Sequence, residues 1–132
     1  MEQEYYDALA RVRIERATEL LKESQDLLMQ GAYKSANNRA FYAMEKSIKV
    51  LLAKKQVDVV THNGVLKQFN FLYIYKGDGT FDAEDYQKIA RAEQIRNASD
   101  YDDFYLASKE ESTVQVENAK YMVEKVLQYI EC

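Results

Sequence analysis

From Ala10 to Leu28 the small and apolar residues fall at alternating spacings of three and four: Ala10, Ile14, Ala17, Leu21, Ser24 and Leu28. Leu20 and Leu27 widen this stripe, and Glu and Arg fill the opposite side. A strand changes face at every residue and cannot gather such a set on one side, whereas an α-helix does. Nothing interrupts the pattern, because the 132 residues include no proline and only four glycines. The first glycine, Gly31, stands where the stripe stops, and it can adopt positive φ without strain. The chain therefore opens with a helix over residues 3–30, and its fold must bury that stripe against other elements.

The same logic yields four further helices. Residues 32–55 carry Tyr33, Ala36 or Asn37, Ala40, Met44, Ile48 and Leu51 on one face. The alanines at 36, 40 and 43 allow a neighbouring helix to come close. Asn37, Asn38 and Arg39 interrupt this face; they either meet another polar cluster or turn to solvent. Residues 56–60 read as an extended connection. Thr61 is placed to cap a third helix, with Val60 and Val65 as a hydrophobic staple. That helix carries Val65, Leu66, Phe69, Leu72 and Tyr73 and ends in the loop 76–79. Phe81 and Asp82 repeat the staple and cap, with Tyr86 as the partner of Phe81. The fourth helix has Ile89, Ala92, Ile95 and Ala98 as apolar positions. After a polar connection over 102–111, Ser112-Thr113-Val114-Gln115 matches a capping box. The last helix then aligns Val116, Ala119, Val123, Val126, Leu127 and Ile130. Five helices with short links predict an all-α fold: a single-domain antiparallel bundle over residues 1–132.

Several function classes fall away. No apolar run approaches the ~20 residues of a membrane span, and the first residues lack the features of a secretory signal. The only cysteine is Cys132, which leaves no internal disulfide and fits a reducing cytoplasm. The only histidine is His62, so a His-rich metal site is excluded within one chain, and no metal or cofactor is expected. No Glu-x-x-His motif and no Gly-rich phosphate loop occur. His62 reads as a surface or capping residue, or as a lone general base. A Cys–His nucleophile would need Cys132 to reach it. Residues 32–76 hold eight Lys and Arg against Glu45 and Asp58, a basic stretch in a chain of net charge −4. It serves either as a solvated helix face or as a basic surface.

One segment is denser in polar chemistry than a core requires: Arg96-Asn97-Ala98-Ser99-Asp100-Tyr101-Asp102-Asp103. It follows the fourth apolar stripe and places Arg96 at that stripe's edge. Arg96 and Asp100 are four residues apart, so they form either an intrahelical ion pair or a cationic fork suited to phosphate.

Taken with Ala36-Asn37-Asn38-Arg39-Ala40-Phe41-Tyr42-Ala43-Met44 and Thr61-His62-Asn63-Gly64-Val65, this segment resembles the HEPN domain family over roughly residues 10–130. The resemblance implies a bundle of about five helices that forms a homodimer. It also implies a metal-independent ribonuclease cleft, built where Arg–polar–His motifs of two protomers meet. Arg96 and Asn97 match the first half of that motif, and Tyr101 stands in the place of its histidine. On this resemblance Arg96, Asn97 and Tyr101 are the candidate catalytic residues, and Asn38, Arg39, Arg96 and Asp100 are candidate ligands for RNA or nucleotide. Such proteins often pair with a minimal nucleotidyltransferase, as toxin and antitoxin or as a two-part transferase. Tyr101 is then the candidate residue for adenylylation. Ribonuclease action by Arg96, Asn97 and Tyr101, and a non-catalytic dimeric scaffold, are the alternatives to an RNA- or nucleotide-binding role.

Overall fold

The computed structural model describes residues 2–131. Helix α1 runs over Glu2–Met29, α2 over Tyr33–Lys54, α3 over His62–Phe69, α4 over Ala83–Tyr101 and α5 over Lys109–Glu131. Among the described residues there is no strand, and the fold is an all-α bundle. Helix α2 is its centre, packed against α1, α3, α4 and α5. That position explains its composition. From Phe41 to Ala53 every side chain is buried except Tyr42, Lys46 and Lys49, which are half-buried along one line, so a one-sided stripe gives way to burial on all but a narrow face. Ala36, Ala40 and Ala43 are fully enclosed.

Gly31 ends α1 with φ of 77°. Ala32 N–H donates to Leu27 O at 2.9 Å and Gly31 N–H donates to Leu28 O at 3.1 Å, the paired bonds that close a helix around a left-handed residue. Residue 56 does not begin an extended segment, as its sequence suggests. Gln56 sits at φ 58° and closes α2 by the same pattern, with Val57 N–H donating to Leu52 O.

Thr61 caps α3, its hydroxyl oxygen accepting from Gly64 N–H at 3.0 Å. The expected staple does not form: Val60 is 89% exposed, while Val57 and Val59 pack on the core. Helix α3 continues into one wide π turn, Asn70–Tyr75, in which Lys76 N–H reaches Phe71 O. The Tyr73 hydroxyl donates to Leu51 O at 2.5 Å, tying this turn to α2. Gly77 is required beside it, since a Cβ there would lie 2.0 Å from the Tyr73 carbonyl oxygen.

Asp82 caps α4 in a reciprocal box with Asp85. Phe81 finds its ring contacts in Phe69, Tyr73 and Tyr129, rather than in a staple with Tyr86. Helix α5 starts three residues before the Ser112 capping-box pattern. Ser108 is the cap, accepting from Glu111 N–H at 3.0 Å, and Ser112 is buried, its hydroxyl donating to Tyr33 O at 3.3 Å. Ser108-Lys109-Glu110-Glu111 matches the capping template as well as the later stretch does. No helix among the described residues is long and apolar enough to cross a membrane.

Candidate functional site

Helix α4 presents Ile89, Ala92, Arg96 and Ser99 along one buried line, spaced by three and four. An arginine therefore occupies a position where the helix period calls for an apolar residue. Arg96 is only 5% exposed, deeper than the stripe-edge placement read from sequence. Ala98, expected to be apolar core, is half-buried, and Ser99 is buried next to it.

The groups that receive Arg96 come from α2. Residues Asn37, Phe41 and Glu45 repeat every four positions and form one row on that helix, about 12 Å long. Asn38 and Tyr42 form the adjacent row. Asn37 Nδ2 donates to Ser99 Oγ at 3.1 Å, and Ser99 Oγ donates to Ile95 O at 2.7 Å. The Arg96 guanidinium carbon lies 5.2 Å from the Phe41 ring centre and 5.3 Å from that of Tyr42. The Tyr101 ring, 5.7 Å away, approaches the same guanidinium. Three aromatic faces thus stabilise the cation by their quadrupoles.

Charge pairing is weaker. The Asp100 carboxylate is 3.7 Å from Arg96 Nη1, too far for a hydrogen bond. Its firmer partner is Asn38, whose Nδ2 donates to Asp100 Oδ2 at 2.9 Å. Arg39 joins through Asn38, donating from Nη1 to Asn38 Oδ1 at 2.7 Å, while its Nε turns to Glu23 on α1 at 3.0 Å. The structure therefore gathers Asn38, Arg39, Arg96 and Asp100 into one polar chain beside α4. Asn97 is exposed on the outer side, and Tyr101 is 74% exposed.

Three buried side-chain polar atoms among the described residues lack a hydrogen-bond partner: Arg96 Nε, Asn37 Oδ1 and Gln115 Oε1. Two of the three belong to this site. Buried donors and acceptors are normally satisfied, so the site has unused bonding capacity, including a cationic donor.

The sequence names Phe41 and Tyr42 only as parts of longer blocks, leaves His62 as a surface or capping residue or a lone general base, and gives no role to Glu45. In the fold, His62 and Glu45 adjoin the site. His62 Nδ1 hydrogen-bonds Glu45 Oε2, and the His62 ring packs edge-on to Phe41 at 5.3 Å and Tyr42 at 6.1 Å. Their signal in the sequence is the four-residue repeat Asn37–Phe41–Glu45, legible only once α3 and α4 are known to face it. Tyr105, in the loop after α4, is also new. Its hydroxyl donates to Glu111, and burial together with that carboxylate pushes its pKa up to about 12. On the neighbouring face of α2, burial lowers the Lys46 pKa. Lys49, Arg13 and Arg16 add to that effect, and Glu45 opposes it.

Among the described residues no group of three His, Cys, Asp or Glu side chains is placed to hold a metal ion. Cys132, and with it any pairing with His62, lies outside the described residues.

Comparison with known proteins gives this arrangement its family. A protein of Methanocaldococcus jannaschii named "Putative toxin MJ0142" is 30% identical over 130 residues, covering 98% of this chain and 86% of the relative. A protein of Archaeoglobus fulgidus named "UPF0332 protein" is 25% identical over 114 residues, covering 86% of this chain and 89% of the relative. The family model described as "HEPN domain" matches residues 10–131, the span that carries the α2 row, His62 and Arg96, and the chain belongs to the HEPN family.

Proposed function

We propose that this chain is a toxin-like HEPN protein that binds RNA or a nucleotide through phosphate at Arg96 and acts with a nucleotidyltransferase partner. The observation that carries the reading is the buried guanidinium with an unpartnered Nε, held against three aromatic rings beside a loosely placed carboxylate. A buried cation without a close counter-ion is costly, and a phosphate oxygen supplies the missing acceptor. The exposed Asn97 and Tyr101 border the approach to it. The relative named as a toxin supports the toxin-like part of the reading.

Tyr101 also supports the partner half of the proposal. Its ring is mostly exposed at the end of α4, so its hydroxyl is open to a second enzyme. Adenylylation there would attach a phosphate beside Arg96 and close the same site from within. Homodimer formation belongs to the proposal as well. Tyr101, Phe104 and Leu106 place exposed apolar surface within six residues next to the site, with Phe104 at 94% and Leu106 at 89% exposure.

The test is a titration of fluorescent single-stranded RNA and of ATP in EDTA at low salt. Binding should weaken with salt and by about tenfold or more in Arg96→Ala, the effect of losing a charged hydrogen bond. No binding by the unaltered protein leaves the dimeric scaffold as the better reading. Co-expression with an adjacent nucleotidyltransferase should add the mass of AMP, and Tyr101→Phe should prevent that gain.

A further inference from the structure

Asp100 follows Arg96 by one helical turn, close enough for a direct ion pair. Its carboxylate nevertheless stops 3.7 Å from Arg96 Nη1. What holds it back lies on α2. Asn38 Nδ2 donates to Asp100 Oδ2 at 2.9 Å, while Asn38 Oδ1 accepts from Arg39 Nη1 at 2.7 Å. A guanidinium only donates and a carboxylate only accepts, so one orientation of the Asn38 amide satisfies both neighbours and the reverse satisfies neither. Arg39 is fixed in turn from α1, its Nε donating to Glu23 Oε1 at 3.0 Å. Glu23 Oε2 accepts from Arg16 on the same helix at 3.1 Å. A relay through three helices thus ends on one oxygen of Asp100. Its members are partly exposed, so these bonds contribute little to the stability of the bundle. Their visible effect is on Arg96. The carboxylate that comes within 4 Å of the guanidinium is turned toward α2, and Arg96 Nε is left without an acceptor.

We propose that Asn38, oriented by Arg39 and Glu23, is a positioning residue that holds Asp100 off Arg96 and so keeps the phosphate site open. The proposal rests on the reading of Arg96 as a phosphate ligand, and it gives the residues around Arg96 a different part from the ligand roles their sequence suggests. Asp100 is the competitor. Its carboxylate offers the guanidinium the same kind of oxygen acceptor that a phosphate offers, and its negative charge repels an incoming phosphate. Released from Asn38, it is free to swing onto Arg96 and neutralise the cation from within the helix. Held by Asn38, it leaves that position to a ligand. Asn38 therefore acts through Asp100 and not by touching the phosphate. Arg39 acts one step further back, because it decides which end of the Asn38 amide faces Asp100. Binding at Arg96 then depends on a hydrogen bond between α2 and α4 that the ligand itself does not make.

The experiment titrates fluorescent single-stranded RNA into the full chain in EDTA at low salt, with the urea midpoint of each variant measured alongside. Asn38→Ala should weaken binding by about three- to fivefold, the upper range for an ion pair at this exposure. Its urea midpoint should barely move, because alanine suits a helix interior. Asp100→Asn should bind as tightly as the unaltered protein or more tightly. The decisive variant joins the two changes. With Asp100 already neutral, Asn38→Ala has no competitor to release, and the double variant should bind like Asp100→Asn alone. A ligand role for Asn38 predicts instead that its loss costs the same in both backgrounds, and a purely structural role predicts no suppression by Asp100→Asn. Arg39→Met, which frees the Asn38 amide to turn, serves if Asn38→Ala unfolds early; its loss of affinity should also shrink when Asp100→Asn is added. Unchanged binding by Asn38→Ala, or a loss of equal size in both backgrounds, would overturn the role of Asn38 and leave the Arg96 site standing. Unchanged binding by Arg96→Ala, or no RNA binding by the unaltered protein, would overturn the Arg96 site and this assignment together.

Discussion

At the scale of single residues, Arg96 sets the stability of the fold against the proposed phosphate binding. A cation at an apolar position of α4 stabilises the bundle poorly, because its desolvation is offset only by ring faces and a carboxylate 3.7 Å away. Its position four residues before Asp100 is plain in the sequence. Its depth is not, because the rings that enclose it come from α2 and from the end of α4. The same limit applies to His62 and Glu45, which are 17 residues apart and meet only through packing. Tyr105 offers a test of local electrostatics. Its pKa rises from 10.0 to about 12 on folding, through burial and the Glu111 carboxylate. Between those values the folded protein keeps a proton that the unfolded chain releases, so stability must fall as pH rises through that window. Tyr105→Phe should reduce this alkaline loss, read from denaturant midpoints collected on both sides of it, and leave the part due to Tyr73, Tyr121 and Tyr129, whose pKa values burial also raises.

At the scale of elements, the helices were legible because a period of three and four survives without proline. Their ends were less so. Gly31 was readable as a stop because one residue type marks it. Gln56 was not, since a glutamine at φ 58° gives no sign of its conformation. Ser108 and Ser112 both open capping patterns, and only the burial of Ser112 against Tyr33 O separates them. The π turn Asn70–Tyr75 has no sequence signature; it follows from the packing of Tyr73 on α2 and of Gly77 on Tyr73. The start of α4 holds more than a cap. Asp85 accepts from Asp82 N–H at 3.1 Å, from the Tyr121 hydroxyl at 2.8 Å and from Lys125 Nζ at 2.8 Å. Asp82→Ala removes a cap and should cost about 1 kcal/mol. Asp85→Ala strips a nearly buried ion pair of its anion and should cost about 3–5 kcal/mol. Urea unfolding of the two variants checks that order, and equal costs would show that the link to α5 contributes little.

At the scale of the molecule, the central helix α2 packs against α3, which begins with His62, and against α4, which carries Arg96. The segment from Tyr101 to Leu106 adds an exposed apolar edge next to the site, and the proposed homodimer would cover it. Phe104→Asp with Leu106→Asp should therefore leave the melting temperature of the fold nearly unchanged and shift sedimentation from dimer to monomer. A chain that sediments as a monomer before the change, or as a dimer after it, removes this edge from the account. The most direct test of the central claim combines binding and stability in one variant, Arg96→Met, which keeps side-chain volume and discards the charge. If Arg96 is held for a phosphate, the variant should unfold at the same denaturant concentration as the unaltered protein or higher and lose RNA affinity by about tenfold or more. A variant that binds RNA as well as the unaltered protein, or that loses affinity only because it unfolds, would contradict it.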